Sequence, residues 1–89
     1  MRKKAQHGTS DAKNRRSVQV YRDRTWQRCA FQRLQKYDIF TLTEPDGTPV
    51  TDETGGRVFC AMSYPYLNDQ GEWEIIIRSR VSVRACGKR

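Results

Sequence analysis

Residues 17–31 read Ser17-Val18-Gln19-Val20-Tyr21-Arg22-Asp23-Arg24-Thr25-Trp26-Gln27-Arg28-Cys29-Ala30-Phe31. Val18 and Val20 alternate with Gln19 and Tyr21, which is the period of a half-buried strand, and Asp23 marks a tight turn. A second strand over Thr25–Phe31 follows, carrying Trp26, Cys29 and Phe31. A helix over Trp26–Lys36 is the alternative, because Trp26, Ala30, Arg33 and Leu34 then share one face.

Outward from this stretch the chain repeats short β-prone runs separated by turn chemistry. Asp38–Thr43 ends at Pro45-Asp46-Gly47, where proline suits the second turn position and glycine accepts a positive φ. Gly55-Gly56 marks another reversal, with a primed hairpin turn as the expectation. Val58–Ser63 is the next strand, closed by Tyr64-Pro65-Tyr66, a context that favours a packed corner and a cis bond. Asn68-Asp69-Gln70-Gly71 turns the chain into Trp73–Val83, read as the longest strand, with Trp73, Ile75, Ile77, Val81 and Val83 on one side. Five strands of this kind predict an all-β fold, a small antiparallel barrel or roll of the SH3-like or OB-like type.

The 89 residues hold one small core and no second domain. Residues 1–16 contain no aromatic residue and, after Met1, no aliphatic one larger than alanine, so they read as a disordered basic arm. Residues 17–85 form the β domain and 86–89 a basic tail. The longest aliphatic run, Ile75–Ile77, is far too short to span a bilayer, and the basic start leads into polar residues instead of the apolar stretch of a secretory leader. A cytoplasmic protein without membrane partners is expected.

The charges are segregated. The net +7 divides into +5 over residues 1–16, +4 over 17–36, −7 over 37–75 and +5 over 76–89. Basic segments of this kind attract polyanions, and arginine forks onto phosphate. The competing use of the same arginines is to pair with the acidic middle once the strands assemble.

Parity sharpens this. With Ile75 and Ile77 inward, Arg78, Arg80 and Arg84 point outward on one strand, about 6.6 Å apart at successive alternate positions, a spacing that lets them follow a nucleic-acid backbone. The other candidate phosphate contacts are Arg2, Lys3, Lys4, Arg15, Arg16, Arg22, Arg24 and Arg28. Tyr21 and Trp26, each beside arginine, are the candidate base-stacking rings.

Catalytic chemistry finds little support. Cys29, Cys60 and Cys86 lack C-x-x-C spacing, and the one histidine, His7, lies in the arm. No metal site, disulfide framework or Cys-His nucleophile pair is expected. Cys29 and Cys60 read as small core residues and Cys86 as an exposed thiol. Glu44, Asp46, Asp52 and Glu53 read as solvated turn residues or as a contact for a basic protein surface. No glycine-rich phosphate loop or paired-carboxylate motif occurs, so the expectation is a non-enzymatic binder without a cofactor.

The segments Leu34-Gln35-Lys36-Tyr37-Asp38-Ile39-Phe40, Glu44-Pro45-Asp46-Gly47-Thr48-Pro49-Val50, Val58–Tyr66 and Gly71-Glu72-Trp73-Glu74-Ile75 resemble small uncharacterised proteins encoded by bacteriophages and prophages. The likeness covers about residues 31–77. It rests on a leucine, a Gly-Asp-Ile-Phe strand start, a Pro-Asp-Gly turn and closing Pro-Tyr and Gly-x-Trp pairs; Tyr37 stands where that pattern has glycine. The resemblance implies a mobile-element origin and brings no established activity. Two partner classes follow. One is nucleic acid or a nucleoprotein complex. The other is a host protein, bound by a phage-encoded inhibitor of the anti-defence type, such as an anti-CRISPR, or of the host-takeover type.

Overall fold

The computed structural model describes residues 15–87, and within them the chain is all-β: two antiparallel sheets and no α-helix. β1 (Ser17–Arg22) and β2 (Thr25–Cys29) form a hairpin, closed by Asp23 and Arg24 at φ 52° and 68°. Two consecutive positive φ values define a type I′ turn, whose twist matches that of the flanking strands. β3 (Ile39–Thr43) pairs with the other edge of β1, and β4 (Phe59–Cys60) pairs with β3, so the first sheet runs β2-β1-β3-β4. β5 (Tyr66–Leu67), β6 (Trp73–Ile76) and β7 (Ser82–Arg84) form the second sheet in that order.

The alternation read from residues 17–22 sets the inner face. Val18, Val20, Phe40, Leu42 and Phe59 are buried from the first sheet, and Ile75, Ile77 and Ala85 from the second. Register puts Phe40 opposite Phe59, with ring centroids 5.6 Å apart. Two isolated bridges, Arg15 to Cys86 and Ala61 to Ile77, link the sheets. No continuous ladder closes them into a barrel. Arg15, Arg16 and Cys86 therefore belong to the folded unit instead of to an arm and a tail: the Arg16 N–H donates to the Ala85 carbonyl at 2.9 Å. Residues 1–14, which hold most of the expected arm, lie outside the described residues.

Several expectations are corrected. Thr25–Phe31 is strand only to Cys29. Phe31–Arg33 is a single 3₁₀ turn, which resolves the choice between strand and helix for Trp26–Lys36. Its three-residue period stacks Phe31 over Leu34, and both are buried. The described strands number seven, not five. The Gly55-Gly56 reversal is not a two-residue primed turn; it is a three-residue loop with Gly55 at φ 87°. The Tyr64-Pro65-Tyr66 segment has a trans bond and does not pack as a corner, since both tyrosines are exposed. Tyr37, standing where the phage pattern has glycine, takes φ 77°, so the turn from Gln35 to Asp38 forms with glycine-like geometry on a non-glycine residue.

The largest correction concerns Trp73–Val83. The chain reverses after Ile77: the Arg80 N–H donates to the Ile77 carbonyl at 2.7 Å, the Ile77 N–H donates to the Val81 carbonyl at 3.0 Å, and Arg80 takes φ 74°. Parity holds up to that point, with Ile75 and Ile77 at 0% and 4% exposure and Ile76 at 36%, but Val81 is exposed.

Candidate nucleic-acid interface

Because of this reversal, Arg78, Arg80 and Arg84 do not form a row on one strand. Arg78 and Arg80 occupy the β6–β7 turn. Arg84, opposite Glu74 on β7, bonds to Glu72 at 3.1 Å.

Three of the expected phosphate contacts are engaged within the fold. Arg16 makes a two-pronged bond to Glu44, Nε to Oε1 at 3.1 Å and Nη2 to Oε2 at 3.0 Å, and donates a third bond to the Arg84 carbonyl. Arg22 donates to Asp38 at 2.6 Å and to the Arg33 carbonyl at 3.3 Å. The hydrogen bond to Asp38 raises the Arg22 pKa further above the physiological range. All three acids, Glu44, Asp38 and Glu72, come from the acidic middle, as the pairing alternative had it. Arg15, Arg24, Arg28, Arg78 and Arg80 are exposed and enter no ion pair among the described residues. Arg2, Lys3 and Lys4 lie outside the described residues.

What sequence parity misses, strand register supplies. On the outer face of the first sheet Trp26 lies opposite Tyr21, Tyr21 opposite Ile39, and Ile39 opposite Cys60. The row continues across the inter-sheet bridge, because the Arg78 N–H donates to the Cys60 carbonyl at 3.0 Å, one residue beyond the Ala61–Ile77 pair. With Ala61 and Ile77 buried inward, alternation turns Cys60 and Arg78 to the outer face. Four inter-strand steps of about 4.8 Å put Trp26 and Arg78 about 19 Å apart.

Tyr21 and Trp26 are 44% and 42% exposed, with ring centroids 5.2 Å apart and planes tilted by 56°. Their contact follows from the hairpin: they form the non-hydrogen-bonded pair next to the closing Arg22–Thr25 pair, where cross-strand side chains come closest. Arg28 lies opposite Gln19 in the adjacent outer row, and Arg24 sits in the hairpin tip. The face thus carries an aromatic pair in its β1–β2 half, with unpaired arginines at both ends.

A cleft of about 430 Å³ opens beside this face, between the end of β2 and the Gln70–Trp73 segment. Arg15, Arg28, Cys29, Phe31 and Glu72 are among the residues lining it. Burial pushes the Cys29 thiol pKa up, away from the thiolate form that nucleophilic chemistry needs. Cys86, expected exposed, is half-buried, and all three cysteines are free thiols. Among the described residues no group of His, Cys, Asp or Glu side chains has a metal-binding arrangement, and no helix is long and apolar enough to cross a membrane. Comparison of the chain with protein-family models, with characterised proteins and with solved structures gives no match, and the reading of this face rests on its own geometry.

Proposed function

We propose that the protein binds single-stranded nucleic acid or a nucleoprotein complex through the outer face of the first sheet, without catalysis and without a cofactor. The observation that carries this reading is the row from Trp26 and Tyr21 to Arg78, with Arg24, Arg28 and Arg80 beside its ends and no acid paired to any of these arginines among the described residues. Exposed rings supply sequence-tolerant stacking and the arginines follow the phosphates. In this reading the two bridged sheets act as a small roll of the SH3-like or OB-like kind, a type of fold in which strand faces serve as binding surfaces. The cytoplasm of a phage-infected cell is a setting consistent with that role.

The test is fluorescence anisotropy with a single-stranded oligonucleotide across a salt series. Affinity should fall with salt, with a log-log slope of about −0.7 per phosphate neutralised, and the combined change of Arg28, Arg78 and Arg80 to glutamine should make the slope shallower. Trp26→Ala should cost about 1–3 kcal/mol of binding and leave the slope unchanged, since stacking releases no counterions. Absence of binding at low salt overturns the reading.

A second reading, an inhibitor docking on a host protein, is favoured by the exposed apolar residues Met62, Tyr64, Tyr66 and Ile76 on and beside the second sheet. The Met62 N–H donates to the Ile76 carbonyl at 2.7 Å, and Tyr66 lies opposite Glu74, two residues before Ile76 on the same strand. Affinity purification with and without nuclease separates the two readings: partners lost with nuclease support the first, and a stoichiometric protein retained after nuclease supports the second.

A further inference from the structure

β2 ends the first sheet, and among the described residues nothing pairs with its far edge. The hairpin fixes which groups that edge presents. Arg22 and Thr25 close the two-residue turn as a hydrogen-bonded pair, so Thr25, Gln27 and Cys29 bond to β1, and the N–H and C=O groups of Trp26 and Arg28 point outward. We infer that two copies of this chain join edge to edge through β2, antiparallel, about a two-fold axis at Gln27.

The register follows from those outward groups. A two-fold at Gln27 puts Trp26 opposite Arg28 of the second copy and Arg28 opposite its Trp26, both as hydrogen-bonded pairs with four main-chain bonds in all. Trp26 and Arg28 share the outer face, so the same register brings each guanidinium alongside the other copy's indole, twice over. The strand Thr25-Trp26-Gln27-Arg28-Cys29 is thus complementary to itself in both backbone and side chains.

The cleft fits this arrangement. Beyond Cys29 the same register carries the second copy's Asp23-Arg24 turn to Ala30 and Phe31, both of which line the cleft. That places the second copy's charged turn at a cleft whose lining includes Arg15 and Glu72, groups of both signs. The inference shares Trp26 and Arg28 with the proposed nucleic-acid face but does not rest on that reading, and its test reads self-association with no nucleic acid present.

Sedimentation velocity across a wide concentration range should show the mass rising from that of one chain toward that of two, as expected for a weak interface of small area. Gln27→Cys, with Cys29, Cys60 and Cys86 changed to serine, puts two thiols opposite each other at about 4.5 Å between Cα atoms, within disulfide reach. It should cross-link at least tenfold faster than Ser79→Cys in the same background. Arg28→Pro removes one outward N–H and leaves the β1–β2 ladder intact, a position an edge strand accepts. That variant should retain the wild-type circular dichroism spectrum and remain a single chain at every concentration. A wild-type chain that stays single throughout, or equal cross-linking of the two cysteine variants, overturns the inference. A dimer that forms only after removal of residues 1–14 also overturns it, since the arm would then be what covers the edge.

Discussion

The loop from β5 to β6 and the loop from β6 to β7 share a hydrogen-bond skeleton but have different local chemistry. In the first, the Gly71 N–H donates to the Asn68 carbonyl at 3.0 Å and the Asn68 N–H to the Glu72 carbonyl at 2.8 Å, with Gly71 at φ 78°. The Asn68 side chain accepts the N–H groups of Gln70 and Glu72, so that loop is written into its own residues. Residues 52–56 repeat the scheme, with Asp52 as the side-chain acceptor and Gly55 in the left-handed position. Residues 77–81 have neither device: Ile77 stands at the capping position and Arg80 in the left-handed one. That reversal is imposed from outside. The end of β6 is held against residues 60–62 by the Met62 and Arg78 N–H bonds and by the Ala61–Ile77 bridge. Beyond the loop, Val83 lies opposite Ile75 and packs against the core.

The largest expected effect tests whether the reversal divides the inward residues of Trp73–Val83. Ile75→Ala and Ile77→Ala should each cost about 2–5 kcal/mol in chemical denaturation, because both leave a cavity. Ile76→Ala and Val81→Ala, at half-open or exposed positions, should cost far less. A loss at Val81 equal to that at Ile77 would mean that the strand runs through and the two loops are not comparable.

A smaller effect compares the left-handed positions directly. Gly71→Ala should destabilise by about 1–2 kcal/mol through backbone strain alone, since an added Cβ meets nothing within 4 Å. Arg80→Gly should stabilise by about 0.5–1 kcal/mol by relieving the same strain. A destabilised Arg80→Gly variant would show that the arginine side chain supports its own turn.

The smallest effect is the pH response of the capped loops. The hydroxyl of Thr54 and the backbone N–H groups of Gly56 and Thr54 hold the Asp52 carboxyl below its ordinary value, and the Thr48 hydroxyl and N–H act likewise on Asp46. A lowered folded-state pKa stabilises above the ordinary aspartate range and is lost as pH falls through the lowered value. Carboxyl NMR titration should therefore place both midpoints below that range, with Thr54→Val and Thr48→Val moving them back up. In the Asn68 loop the capping group is an amide, which has no proton to gain or lose in this range.

These loops also show where the sequence could be read. Glycine and Asx residues at residues 44–48, 52–56 and 68–72 announce reversals, because the left-handed backbone and the side-chain cap are properties of a few adjacent residues. Arg78-Ser79-Arg80 carries no such mark, so alternation reads straight through it and yields an arginine row on a strand that does not exist. The same limit applies to the candidate interface. Tyr21 and Trp26 beside arginine were visible as stacking candidates, but the sorting of arginines into paired and unpaired was not. Arg16, Arg22 and Arg84 meet acids 12 to 28 residues away in sequence.

Sequence by itself determined the all-β class, the alternation of β1 and the inward pair Ile75 and Ile77, because side-chain alternation is a local period. It also determined the segregation of charge. Only the tertiary structure decided the reversal at Arg80, the sharing of Arg16, Arg22 and Arg84 with the acidic middle, and the row from Trp26 to Arg78. Each of these depends on hydrogen bonds or ion pairs between residues distant in the chain, whose register is set by the burial of both sheets against one core and leaves no periodic trace in either partner's own sequence.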